Sequence, residues 1–309
     1  MEELLCSLHN YTKFSGLPYS FYETAQAALS CGLDAMITSD KNIYAEGHDQ
    51  YYYRSGEKLL FLCGEELFDP LSDGPHYISI GIEKEQFNRR PGNLSEEIGI
   101  VSGNDIGNTN YRHLELINAE DLLLQGLAEG TKQIRNNIRL FSDLLNTEKH
   151  YIGLAGTCSS VFSGKFSYEE LLSTACNHIY SEEKLTGDFQ YDKSILLGSL
   201  RKGRLFFALD GFADAKGFRF YAEGNNQDAV AWPGDTIYLR SSITLKILIP
   251  EACTCKLIHN GRVIKEWKHC RQVPYTIYEP GHYRVECSMM IRREWYDWIF
   301  SNPIYVVKG

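Results

Sequence analysis

Two short stretches place reactive side chains where an α/β fold keeps its chemistry. Ser7-Leu8-His9-Asn10-Tyr11-Thr12-Lys13-Phe14-Ser15-Gly16 follows a short apolar run that reads as a first strand. Ala35-Met36-Ile37-Thr38-Ser39-Asp40-Lys41-Asn42 is again a strand running into polar residues. Reactive groups in α/β barrels and sheets collect at the carboxyl ends of strands, so His9, Asp40 and Lys41 are the first candidates. Cys158, in Gly153-Leu154-Ala155-Gly156-Thr157-Cys158-Ser159-Ser160, is a candidate nucleophile or thiolate ligand. It needs a base or a positive charge beside it, which Lys41 supplies if the loops meet; an inert thiol is the simpler reading. His48, His113 and Asp105 are further candidates in loops near strand ends, where ordinary polar surface residues are the rule. Cys253-x-Cys255 with His259 and His269-Cys270 superficially suggests zinc, but strand alternation explains that spacing better. The aromatic runs Tyr51-Tyr52-Tyr53 and Trp295-Tyr296-x-Trp298 are read as core or domain-interface residues rather than as stacking platforms.

The elements that must position these groups follow from local signals. Ser20-x-x-Glu23 is a capping box, and the helix it opens closes at Gly32. Strand, helix, strand over residues 4–39 is a βα repeat that predicts parallel strands. Further strands are expected at residues 58–63, 76–81, 98–102, 114–117 and 151–155. Helices are expected at residues 119–146, 168–177 and 192–202. From residue 204 on, strand-like runs dominate, and Asn260-Gly261 between two of them is a strong hairpin signal. The expected organisation is an α/β domain with parallel strands at residues 1–204 and an all-β, immunoglobulin-like sandwich at residues 205–309.

The bulk composition excludes several classes. The 309 residues carry a formal charge of −9, and no long Lys/Arg run offsets it, so general nucleic-acid binding is not expected. No apolar stretch approaches the ~20 residues needed to span a membrane. The acidic Met1-Glu2-Glu3 start is not that of a signal peptide. The nine cysteines are mostly set in apolar runs and read as buried, reduced thiols of a cytoplasmic protein. Oligomeric state is left open.

The two opening stretches together resemble the PHP (polymerase and histidinol phosphatase) family of metal-dependent phosphoesterases, whose motifs are Asp-x-His-x-His-Thr and Thr-Asp-His-Asn. The resemblance covers most of the chain. Glu66 falls where the family's Gly-x-Glu supplies a bridging carboxylate, and His76 where the next strand begins with a ligand histidine. Ser199-Leu200-Arg201-Lys202-Gly203-Arg204, Pro280-Gly281-His282-Tyr283-Arg284-Val285-Glu286 and Ser301-Asn302-Pro303-Ile304-Tyr305-Val306 match a subset of the family that carries an appended sandwich. The resemblance implies a distorted, TIM-like (β/α) barrel with parallel strands, and hydrolysis of a phosphoester by metal-activated water.

The implied metal set is incomplete. His9, Asp40, Glu66 and His76 are kept. Tyr11 and Lys41 stand where histidines belong, Gly103 aligns with a lost histidine, and Cys158 and Ser160 replace the closing aspartate and histidine. At most one divalent ion (zinc, manganese or iron) is expected. Two readings follow: a phosphoesterase of weak activity acting on a small phosphorylated molecule, or a catalytically inactive relative that serves as a binding or interaction module. Lys41 is expected to stand in for a lost metal by pairing with Glu66 or Asp40.

Overall fold

The computed structural model describes residues 1–67, 76–85, 97–102, 111–147, 149–157, 165–224 and 229–309. In chain order the first part comprises β1 (Glu2–Asn10), α1 (Phe21–Ser30), β2 (Ala35–Lys41), β3 (Gln50–Arg54), β4 (Glu57–Leu67), β5 (His76–Ile80), β6 (Ile98–Ser102) and β7 (His113–Asn118). Then come α2 (Ala119–Leu145), β8 (Ile152–Gly156), α3 (Tyr168–Thr174), β9 (Cys176–Ser181), α4 (Phe189–Lys202) and β10 (Leu205–Ala208). The capping box at α1 forms as expected: Ser20 Oγ accepts from Glu23 N, and Ser20 N donates to the Glu23 carboxylate. A left-handed Gly126 breaks α2 near its start.

The expectation of an all-parallel barrel is corrected. Parallel pairs (β1–β2, β2–β4, β6–β7 and β7–β8) share the sheet with antiparallel ones (β4–β5, β5–β6, β1–β9 and β9–β10). β4, β5 and β6 follow one another without an intervening described helix, and β9, which begins where a helix end was expected, runs against both β1 and β10 although α4 lies between β9 and β10. The sheet curls but is not a closed barrel. Among the described residues no ladder joins β8 to β1; Thr157 N donates to Leu8 O across the seam. Two side-chain amides do the work of the missing strand. Asn177 accepts from Ala155 N and donates to Ala155 O, and Asn302 does the same for Gly153. Two backbone residues on one edge of β8 are thereby satisfied without a neighbouring ladder.

The remaining strands are β11 (Arg219–Gly224), β12 (Val230–Ala231), β13 (Thr236–Leu239), β14 (Ile243–His259), β15 (Arg262–Ile277), β16 (Gly281–Ile291), β17 (Glu294–Ser301) and β18 (Ile304–Lys308). The Asn260-Gly261 turn joins β14 to β15, both turn residues having positive φ. The strand-like runs at residues 243–249 and 255–259 belong to one continuous β14, irregular between Leu248 and Cys255. Its first half pairs with β11 and its second with β16, so one long strand serves two faces.

The strand β10 is shared. It pairs with β9 on one side and β17 on the other. Its residues alternate between two apolar clusters: Leu205 and Phe207 join the core of the first part, Phe206 and Ala208 that of the second. No described helix is long and apolar enough to cross a membrane.

Candidate functional site: a histidine–carboxylate network

His9 lies near the end of β1 inside a register irregularity between Ser7 and Asn10, with φ at +58°. A non-glycine residue in the left-handed region is uncommon and carries a backbone cost. The irregularity re-aims the side chain, as bulges beside functional sites do. It is pinned from both sides: Ser7 Oγ lies 2.6 Å from Thr157 Oγ1, and Asn10 Nδ2 donates to Ile37 O.

The imidazole is buried between two acidic residues. Its Nδ1 donates to Glu115 Oε2 over 2.6 Å, and its Nε2 lies 3.2 Å from the Tyr11 hydroxyl and 3.9 Å from Glu66 Oε1. Tyr11 in turn donates a short hydrogen bond to Glu66 Oε2. The other oxygen of Glu66 accepts from His76 Nδ1 at 2.6 Å. Burial alone would raise the pKa of Glu66; the hydrogen bonds from His76 and Tyr11 and the nearby His9 imidazole outweigh it and hold the carboxyl well below its ordinary value. The Lys41 ammonium lies over the Tyr11 ring, 4.9 Å from its centroid. His76 and Lys41 are the half-buried members, so the network reaches solvent on their side.

Glu115 also accepts from Ser102 Oγ and Asn118 Nδ2, and a cavity of about 130 Å³ opens against it. Gly156 makes its position possible. A Cβ there would stand 2.1 Å from Glu115 Oε2, so any other residue displaces the carboxylate.

The candidates divide accordingly. His9, Glu66 and His76 come together. Asp40 turns to the neighbouring loop, where it accepts from Thr12 N, Thr12 Oγ1 and Ser15 Oγ. Burial raises its pKa against those bonds. Cys158, Ser160, Gly103 and Asp105 lie outside the described residues. His48 is exposed. His113 corrects its expectation: it begins β7, is buried, bonds Leu200 O, and burial lowers its pKa to about 4. Such a neutral imidazole serves the core. Cys253 and Cys255 point into the second core as alternation required.

A cation does not fit the network as built. The 3.9 Å between His9 Nε2 and Glu66 Oε1 is a separation two ligands of one ion can have. The Tyr11 oxygen is already bonded to both residues, the donor atoms are spent on one another, and a lysine ammonium stands nearby. Among the described residues no three His, Cys, Asp or Glu side chains are grouped to hold a metal ion.

Sequence reasoning missed a second cluster. His178, on β9, donates from Nδ1 to Glu3 at 2.8 Å and faces both oxygens of Asp210 from Nε2 at 3.1 Å. Glu3 also binds Arg219 and Gly217 N. Burial would lower the His178 pKa; Asp210 and Glu3 overcome it and raise it to about 9. This cluster ties β1 and β9 to the second part of the chain.

No protein-family model matches this chain, and no curated protein does. Among solved structures it is similar to a two-domain protein from Bacteroides vulgatus described as containing a predicted PHP-like metal-dependent phosphoesterase. The identity is 11%, the TM-score 0.40, and the match covers 97% of this chain and 95% of that one. A likeness at that level fixes neither the fold nor the activity of this chain.

Proposed function

We propose that this chain is a PHP-like protein of two units, residues 1–204 and 205–309, whose metal centre has been exchanged for an internal hydrogen-bond network. On this reading it works as a binding or interaction module rather than as a phosphoesterase. The observation that carries the reading is the Tyr11 hydroxyl, bonded to both His9 and Glu66 where the family would bring two ligands to one ion. Glu115 orients His9, His76 and Tyr11 hydrogen-bond the two oxygens of Glu66, and Lys41 adds a fixed positive charge at the open edge. The two apolar clusters meeting at β10 support the division into units.

Metal analysis tests this directly. The purified chain, supplied with zinc and manganese and then desalted, is expected to retain well under one ion per molecule. Tyr11→His combined with Lys41→His is expected to raise that content. The rival reading, a weak phosphoesterase, draws on the convergence of His9, Glu66 and His76. Metal-stimulated hydrolysis of a phosphomonoester at ~1 s⁻¹ or faster, an ordinary enzyme rate, would overturn the proposal in its favour.

A further inference from the structure

A cavity of about 640 Å³ lies away from this network, between α2 and the face of β14, β15, β16 and β17. That volume is within the ~300–1,000 Å³ of small-molecule sites. Its charge runs against that of the whole chain. Arg135, Arg139, Lys256, Lys268 and Arg284 line it, five cations in a protein of net charge −9. The acidic lining residues are Glu266, Glu286 and Asp297, leaving a surplus of two positive charges.

The internal pairing concentrates that surplus. Asp297 is committed to Arg135 at 2.8 Å and also accepts from Ser288. Glu286 is committed to Arg284 at 2.5 Å. Arg284 is 3% exposed, its other terminal nitrogen donates to Ser142 Oγ, and its Nε has no acceptor among the described residues. Its guanidinium is thus a buried group in the wall of the cleft, paired with Glu286 but with its Nε–H unanswered among those residues. Arg139, Lys256 and Lys268 form no ion pair of 4 Å or less among the described residues, although Lys256 stands in register opposite both Glu266 and Glu286. Trp295, 47% exposed, offers an indole at the same cleft.

We infer that this cleft binds a small polyanion carrying two or more phosphate groups. Several separated cations, with one buried behind them, suit several oxyanion groups on one molecule better than they suit a single carboxylate. The inference goes beyond the reading of the His9 network and uses none of its residues.

Calorimetric titration of the full chain with inorganic tripolyphosphate, at physiological ionic strength, is the test. Saturable one-to-one binding in the micromolar range is expected, with citrate at least about tenfold weaker. Lys256→Gln combined with Lys268→Gln removes two accessible charges and is expected to weaken binding about tenfold. Lys246→Gln removes a charge that pairs with Glu223 outside the cleft and is expected to change nothing. Circular dichroism of each variant confirms that the fold is retained. No saturable binding, or equal losses in the cleft and control variants, would overturn the site. Citrate binding as tightly as tripolyphosphate would overturn the phosphate assignment.

Discussion

His9 and His178 are built from the same parts and closed to different degrees. Each imidazole has an acidic side chain on Nδ1 and a hydrogen-bonding oxygen on Nε2. Around His178 every charge is answered within the protein: Glu3 is shared with Arg219, Asp210 also accepts from Ala215 N, and the ring stacks on Phe206 at 4.3 Å. His178 and Glu3 are sealed from solvent, and only the outer members Asp210 and Arg219 are partly exposed, so the ring itself serves to hold elements together. Around His9 the chain of bonds runs outward, through Tyr11 and Glu66, to a half-buried histidine and a half-buried lysine. Identical residue types therefore do not define a site; an outlet to solvent does.

The largest effect is expected at the closed cluster. Glu3→Ala leaves buried His178 with Asp210 alone and strips Arg219 of its carboxylate, which costs about 3–5 kcal/mol. Urea unfolding should show it as a lower midpoint. A loss under about 1 kcal/mol, the range of exposed pairs, would erase the contrast between the clusters. The pH dependence sharpens it. The unfolded imidazole titrates near 6.5 and the folded one at about 9. The folded state thus holds the proton more tightly, so the stabilisation is full below pH 6.5 and is lost as pH rises through 9. The amount at stake is roughly 3 kcal/mol. Thermal midpoints followed across that window should fall in the wild-type chain and fall less in His178→Gln.

At the open cluster the expected losses are smaller. Tyr11→Phe keeps the ring and deletes the hydroxyl that reaches His9 and Glu66. Glu66 keeps His76 but loses the donor to its second oxygen, a cost of about 1–3 kcal/mol. Stability should fall by that amount while metal content stays unchanged, because phenylalanine supplies no ligand. A Tyr11→Phe chain that gains a stoichiometric ion would show that the hydroxyl alone kept metal out.

The sequence made one cluster half legible and hid the other. His9, Glu66 and His76 stand at strand ends marked by apolar runs, so their convergence was readable. Glu115 was not, because it sits inside the apolar strand His113–Asn118, buried like its neighbours. A carboxylate in such a run was the available signal. The parallel βα start and the capped α1 were legible from local chemistry. The strand β9 was not: Ala175 alone separates it from α3, with neither glycine nor proline to mark the change. Its Asn177 and His178 look like exposed helix-end residues until the fold brings Cys6, Ala155 and Glu3 to meet them. The curled, mixed sheet escaped for the same reason, since long-range partners decide it.

Lys41 carries the smallest and most discriminating prediction. The expectation that it replaces a metal by pairing with Asp40 meets a difficulty, because Asp40 is already held by Thr12 and Ser15. What the geometry gives Lys41 is the face of Tyr11. Lys41→Met keeps the aliphatic stem and removes the charge. If the contact with the ring is its main contribution, the loss is about 0.5–1 kcal/mol, the worth of a partly exposed cation–π pair. If its charge instead balances Glu66 through the network, the loss rises toward the ~3–5 kcal/mol of a broken buried pair. A double-mutant cycle with Tyr11→Leu separates the two. Coupling that accounts for the whole Lys41 effect assigns it to the ring, and a Lys41 effect undiminished in the Tyr11→Leu background assigns it to the carboxylate.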